Sequence, residues 1–426
     1  MTSASFVQKL VLKNTAYLAV SHIISKIIGL ATIIFIARSL GPQVFGQYKT
    51  ILAIIGMFTL FTDFGMDRII IRETAKDVKL LKENLERFIP IRLYLSIGAF
   101  LLLLITGLFL QRNLYPFGLL IIGGLTLIFD SVANGISLIF IIVQKMQYKA
   151  IYEVLHKIIL SFLVLVFFYS IGRLVSVILA FCLASFFAVI PLYCYSKKFC
   201  KFKFSLRLDF HFFKMIFRPA FWFALASFTA LLFAKIDTIM VAQLADFNEA
   251  GFYATAWDVV SLFLYGAGSL YIALFPLTSQ RVSMEYFKKL FGKIVFLSFG
   301  GVILAAITNM LSVPILTMLF GERYLKAAFV LNILIWTFPI TIFEIWISQI
   351  YDSTNNQKMH VFTGGIFVII NICLNFLFIP RFGARGAAAA SLFACLVSLF
   401  FGVPIAIKIM NNIKYIPAIS PEKNHT

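Results

Sequence analysis

Long apolar runs alternate with short polar connections along the whole chain. They fall near 16–37, 45–66, 91–110, 117–143, 158–171, 174–195, 220–244, 251–275, 294–311, 329–350, 361–380 and 386–408. Most approach the roughly 20 residues that a helix needs to cross the hydrocarbon layer. The pattern predicts an all-α integral membrane protein with about 12 transmembrane helices, six in each half. The fifth run is short and is expected to start earlier, near Tyr152. The expected division is a first bundle over 1–195, a basic and aromatic linker over 196–219, a second bundle over 220–410 and a tail over 411–426.

The two halves echo each other. Ala37, Gly46, Tyr48 and Thr50 recur 205 positions later as Ala242, Gly251, Tyr253 and Thr255. Ile34-Phe35-Ile36 has its counterpart in Ile239-Met240-Val241, and Gln144-Lys145-Met146 returns as Gln357-Lys358-Met359. Similar halves in a polytopic membrane protein suggest a transporter with its substrate site between them.

Composition narrows the class. Hydrophobic residues form 61% of the chain and charged ones 13%, against about a quarter charged in a soluble domain. The net charge of +19 does not point to nucleic acid, because the Lys and Arg are spread through short loops. With the N-terminus inside, the cytoplasmic segments hold 26 Lys and Arg and the opposite loops 7, as the positive-inside rule requires. Both termini are therefore expected in the cytoplasm. The linker, with Lys197, Lys198, Phe199, Lys201, Phe202, Lys203 and Phe204, suits either an amphipathic segment on an anionic leaflet or an ordinary basic loop. The cysteines (Cys182, Cys194, Cys200, Cys373 and Cys395) read as small apolar residues. No metal cluster, cofactor motif or phosphate loop is recognisable, so an ATP-driven motor is not expected.

Charged groups inside the spans cost about 2.5–3.5 kcal/mol each on insertion scales, which demands partners or water. The candidates are Lys26, Asp63, Asp130, Lys235, Asp237, Asp258 and Glu344. Helical spacing aligns His22, Ser25 and Lys26 in the first span, and Asp130, Asn134 and Ser137 in the fourth. It also aligns Asp258, Ser261 and Tyr265 in the eighth, and Thr337, Thr341, Glu344 and Ser348 in the tenth. Asn371 and Asn375 lie one turn apart in the eleventh and suit interhelical hydrogen bonds. Asp63 reads as an interfacial or capping residue. Asp237 suits local pairing, a broken-helix cap or proton exchange equally.

Several motifs then converge. I34-F-I-A-R-S-L-G-P-Q-V-F-G-Q-Y48 and F64-G-M-D-R-I-I-I-R-E-T-A75 come first. I236-D-T-I-M-V-A242, A250-G-F-Y253, N355-N-Q-K358 and N371-I-C-L-N-F-L-F-I-P-R-F-G-A-R-G-A387 follow in order. Together they resemble the Wzx-type polysaccharide repeat-unit flippases of the multidrug/oligosaccharidyl-lipid/polysaccharide (MOP) exporter superfamily. The resemblance implies a MATE-like fold of two six-helix bundles with a V-shaped central cavity and alternating access. It implies a substrate carried on undecaprenyl pyrophosphate, an O-antigen or capsular repeat unit, moved between leaflets of a bacterial inner membrane. Partners would be that lipid-linked oligosaccharide, membrane lipid and other polysaccharide-assembly proteins, with no nucleic acid. Lys26, Lys235, Lys49 and His22 are then the expected substrate contacts in the lumen, and Arg38 and Arg92 rim contacts. Glu344, Asp237, Asp258 and Asp130 are the expected carboxylates for coupling to a proton or sodium gradient. Other readings are a drug or metabolite antiporter of the same superfamily, or a membrane enzyme of polysaccharide assembly.

Overall fold

A computed structural model of the protein describes residues 3–109, 116–168, 173–202, 206–280, 283–354, 356 and 358–413. Several residues named above lie outside these, namely Lys203, Phe204, Asn355 and Gln357, as do Arg112 and Arg281 from the charge count and the tail from residue 414. The regular elements are helices: α1 (Ser3–Phe58), α2 (Met66–Lys76), α3 (Leu81–Phe109), α4 (Phe117–Gly124), α5 (Thr126–Ile142), α6 (Met146–Phe168) and α7 (Arg173–Ser196). They continue with α8 (Phe210–Leu244), α9 (Phe247–Gln280), α10 (Met284–Met310), α11 (Ser312–Phe320), α12 (Ala327–Leu334), α13 (Thr337–Ser353) and α14 (Lys358–Asn411). An all-helical build follows from the solvent. In hydrocarbon each backbone N–H and C=O must find its partner within the protein, and a helix provides it locally.

Among the described residues, nine helical runs are long and apolar enough to cross a membrane. Two of them are double. α1 is broken at Gly41 (φ 75°) and α14 at Gly383 (φ 57°), both in the left-handed region that glycine enters at little cost. With α9, a helix of 34 residues, these runs account for the 12 expected spans. The fifth span begins at Met146, earlier than its apolar run, because Lys149, Glu153, His156 and Lys157 occupy its first turns. The helices carry large exposed apolar side chains, such as Phe296 and Phe400, each about three-quarters exposed (76% and 74%). Such faces suit lipid rather than water.

The chain divides into two compact units, one of residues 1–40 and 47–231, the other of 41–46 and 232–426. In the first, Met66, Ile70, Phe88, Ile139 and Phe140 form a core that also takes in Cys200, Phe202 and Phe212. The apolar half of the linker is thus tucked into this unit, while Lys197 and Lys198 lie over Tyr193 and Tyr195. Burial pushes the Cys200 thiol above its ordinary pKa, which disfavours its thiolate form. Arg92, expected at the rim, is instead buried at 2% exposure. It pairs with Asp67 and donates to the Ser131 hydroxyl at 3.3 Å. It is a buried structural ion pair, so it offers no free charge to a substrate phosphate.

The second unit contains a backbone crossing that explains part of the echo. A Cβ at Gly46 would lie 1.9 Å from the Phe247 carbonyl oxygen, and one at Gly251 would lie 2.1 Å from that of Pro42. Residues 42 and 46 correspond to 247 and 251 by the repeat offset of 205. The repeated glycines therefore meet, each against the other's preceding turn. Neither site can take a side chain without backbone movement, in the manner of small-residue packing between membrane helices. Replacing Gly251 with Ala is expected to cost about 1–3 kcal/mol, the usual range for overpacking. Thermal unfolding in detergent should reveal a lower melting temperature for G251A. G266A, where a Cβ meets nothing within 4 Å, should melt like the parent or higher.

Candidate functional site

The best-built polar site lies within the second unit, around Asp237. α8 runs unbroken through this position, so Asp237 is neither a helix cap nor part of a broken helix. Its carboxylate is 4% exposed and takes hydrogen bonds from three neighbours on two other helices. The Tyr253 hydroxyl on α9 and the Ser391 hydroxyl on α14 donate to Oδ2, and the Asn375 amide donates to Oδ1 at 2.7 Å. Asn375 also donates to Asn371 Oδ1 at 3.1 Å, and Asn371 donates to Ser391 Oγ at 3.2 Å. All five residues are buried.

Local sequence explains how they meet. Asn371 and Asn375 are four apart and share one face of the first leg of α14. Beyond Gly383, the second leg begins with Ala384, Gly386, Ala387, Ala388 and Ala390, all buried. A Cβ at Gly386 would sit 2.5 Å from the Phe378 carbonyl oxygen, so small residues let the legs approach until Ser391 reaches the carboxylate. Inside hydrocarbon a carboxylate without such donors would cost several kcal/mol. Asn375 Oδ1 finds no hydrogen-bond partner among the described residues. The site thus pairs a carboxylate with an unused amide oxygen and two hydroxyls. That donor set fits a proton or a small hard cation better than a transition metal. Among the described residues no three His, Cys, Asp or Glu side chains cluster for a metal ion.

Of the remaining sequence-selected residues, His22, Lys26 and Asp130 gather around Glu153 and Lys157 in the first unit. Glu344 on α13 is half-buried and makes no hydrogen bond or ion pair among the described residues. Its polar row is largely satisfied within its own helix: Thr337 donates to the Leu334 carbonyl at 2.7 Å and Thr341 to the Thr337 carbonyl at 3.0 Å. Asp258 is half-buried, and Ser261 donates to its backbone carbonyl at 2.8 Å. Lys235 is half-buried two residues before Asp237, which puts it on another face of α8.

In the first unit, Asp130 on α5 approaches the Ser185 hydroxyl and Lys157. Ser185 also contacts His156 Nε2 at 3.3 Å. His22 is exposed and lies 3.4 Å from Glu153, which Ser21 reaches at 3.5 Å. Lys26 is exposed and Lys49 half-buried.

The repeat places Thr32 where the second half has Asp237. Thr32 is buried and its hydroxyl lies 2.6 Å from that of Ser161 on α6. The first half therefore closes the equivalent position with a neutral hydroxyl pair. Sequence reasoning missed Tyr253 and Ser391. Tyr253 belongs to the echo, but its reach to Asp237 depends on the crossing of α8 and α9. Ser391 is hidden in an alanine-rich run.

The family described as polysaccharide biosynthesis protein matches residues 11–282, more than half of the sequence. The chain belongs to that family. Within this polysaccharide biosynthesis family setting, the chain is 24% identical over 431 residues to an uncharacterized membrane protein of Methanocaldococcus jannaschii, covering 94% of this chain and 99% of that one. It is 21% identical over 397 residues to a provisionally named O-antigen transporter of Shigella flexneri, covering 89% and 93% respectively. Among solved structures, the lipid II flippase MurJ in an inward closed conformation superposes with a TM-score of 0.72 at 16% identity, over 93% of this chain and 90% of that one. An inward-facing MATE family multidrug resistance transporter of the MOP superfamily gives 0.73 at 15% identity, over 92% and 96%. These likenesses establish the fold, and with the family match they support the Wzx-type resemblance. The protein is a multi-pass membrane protein with a flippase-like transporter fold.

The network predicts an unequal response to substitution. Asp237→Ala strips three buried donors of their acceptor and is expected to cost about 3–5 kcal/mol, as for other broken buried charge networks. Asp237→Asn keeps the shape and one acceptor oxygen, so it should lose much less. Melting curves of the two variants in one detergent test this; equal melting temperatures would contradict the network.

Proposed function

We propose that the protein is a flippase for lipid-linked oligosaccharide repeat units of the O-antigen or capsular type, carried on undecaprenyl pyrophosphate. It moves them by alternating access from the cytoplasmic to the periplasmic leaflet of a bacterial inner membrane, with both termini in the cytoplasm. The support is the polysaccharide biosynthesis family, the transporter fold along nearly the whole chain and the name of the Shigella flexneri relative. A pyrophosphate and a row of sugar hydroxyls cannot cross hydrocarbon unaided, so such a carrier needs a wet, cationic path. Lys26, Lys235 and Lys49 would meet the phosphates as point charges, with His22 beside them, while the polyprenyl tail stays in lipid. No bond is made or broken in this cycle.

The observation that carries the coupled form of this reading is the Asp237 network, a fully enclosed carboxylate with an unpaired amide oxygen beside it. Proton or sodium binding there changes the charge of a buried group, and a charge change is what allows an ion gradient to bias two conformations. Glu344, Asp258 and Asp130 are secondary carboxylates in this scheme.

In a strain deleted for the gene, undecaprenyl-linked repeat units should accumulate on the cytoplasmic face, and the wild-type gene should release them. Asp237→Asn is expected to be present in the membrane yet to restore less than about a tenth of surface polysaccharide, the loss expected for removing a functional intramembrane charge. Lys26→Ala with Lys235→Ala should fail similarly. Normal surface polysaccharide in the deletion strain, with altered drug sensitivity, would overturn the reading in favour of an antiporter.

A further inference from the structure

The second unit has a cationic cavity away from the Asp237 network. It measures about 320 Å³ and is lined by Glu249, Lys326, Arg381 and Arg385 with Phe252 and Phe382 among its walls. This volume sits near the lower end of the roughly 300–1,000 Å³ typical of small-ligand pockets. Only 7 of the chain's Lys and Arg fall in the loops opposite the basic ones, and three of those 7 line this one cavity. Loops on that side are otherwise depleted of positive charge, so the convergence calls for a local cause.

The chain builds the cavity from three helix starts. Glu249 lies in the first turn of α9, Lys326 is the residue that precedes α12, and Arg385 opens the second leg of α14 after Gly383. The start of α9 is closed by Asp246, which accepts from the Glu249 backbone N–H at 2.8 Å, and Glu249 accepts from the Ala384 N–H at 2.8 Å. No side chain caps α12. Each helix start adds partial positive charge to the same space. The left-handed Gly383 sets the turn that brings Arg381 and Arg385 to one cavity. The Arg385 guanidinium lies 4.0 Å from the centroid of the Phe329 ring, which holds it in place. None of Lys326, Arg381 and Arg385 makes a salt bridge or hydrogen bond among the described residues. Three exposed cations therefore line one cavity with a single partly engaged carboxylate. Phe382, Phe329 and Leu325 are about half or more exposed beside them, an apolar margin suited to lipid.

We propose that this cavity binds the phosphate of an amphiphile at the membrane face opposite the termini. Two arginine forks and a lysine match the several oxygens of a phosphate better than they match a lone carboxylate. The flanking aromatic residues take the adjoining chain. That chemistry has two sources: the headgroup of an anionic phospholipid, or the phosphate of a polyprenyl carrier arriving from the proposed transport cycle. Only the second source rests on the flippase reading.

Native mass spectrometry of the full-length protein from detergent distinguishes them, with phosphatidylglycerol, undecaprenyl pyrophosphate and the phosphate-free undecaprenol as probes. Lys326→Gln/Arg381→Gln/Arg385→Gln is expected to weaken binding of a phosphate amphiphile at least about tenfold, as loss of charge-assisted contacts implies. Binding of undecaprenol should not change. Glu249→Gln, which keeps an acceptor for the Ala384 N–H and removes the opposing charge, should bind the same probe more tightly. A gain of this kind guards against a triple variant that merely misfolds. Loss confined to phosphatidylglycerol assigns the cavity to a lipid headgroup and leaves the flippase reading untouched. Loss that includes undecaprenyl pyrophosphate assigns it to the carrier. Unchanged binding of both phosphate probes in the triple variant, or weaker binding in Glu249→Gln, would overturn the proposal.

Discussion

A carboxylate can be held in the interior of a membrane protein only if the protein replaces the water it has lost. That constraint organises the second unit. Asp237 on α8 takes donors from α9 and from both legs of α14, so its burial fixes the relation of four helical segments at once. The small residues after Gly383, the one-turn spacing of Asn371 and Asn375 and the position of Tyr253 all serve the same geometry. Removing any one of them leaves a polar group without a partner in a medium that offers none. The same requirement acts on Arg92 in the first unit, where Asp67 and Ser131 take the place of water. The two networks differ in what remains. Around Arg92 an opposite charge answers the guanidinium, whereas the Asp237 carboxyl is met by neutral donors and stands beside an unpaired amide oxygen.

Much of the fold could be read from the sequence, because bilayer thickness and helix rise convert directly into apolar run length. The short fifth run is instructive. Its N-terminal end carries Lys149, Glu153, His156 and Lys157, so hydropathy understated a helix that begins at Met146. The linker was legible only in part: its charges are evident, but that Phe202 and Phe212 turn into the core of the first unit depends on tertiary packing that alternation along the chain does not encode.

The site was less legible. Asp237, Asn371 and Asn375 stand out because each is polar in an apolar run, and the two asparagines share a face by spacing alone. Their convergence with Ser391 is invisible in sequence, since a serine among alanines looks like ordinary small-residue packing. Arg92 misleads in the opposite direction. Near the start of an apolar run it looks like an interfacial group, and only the return of α2 beside α3 reveals Asp67 as its partner. The polar row through Thr337 and Thr341 also resembles a wet face, yet both hydroxyls are spent on carbonyls of the preceding turn.

The meeting of Gly46 with the Phe247 carbonyl and of Gly251 with that of Pro42 has the form of a self-complementary contact, the kind by which two identical subunits join across a two-fold axis. Here both participants belong to one polypeptide. Enlarging either glycine pushes apart the same two backbones, so two positions 205 residues apart behave as a single steric switch on one contact.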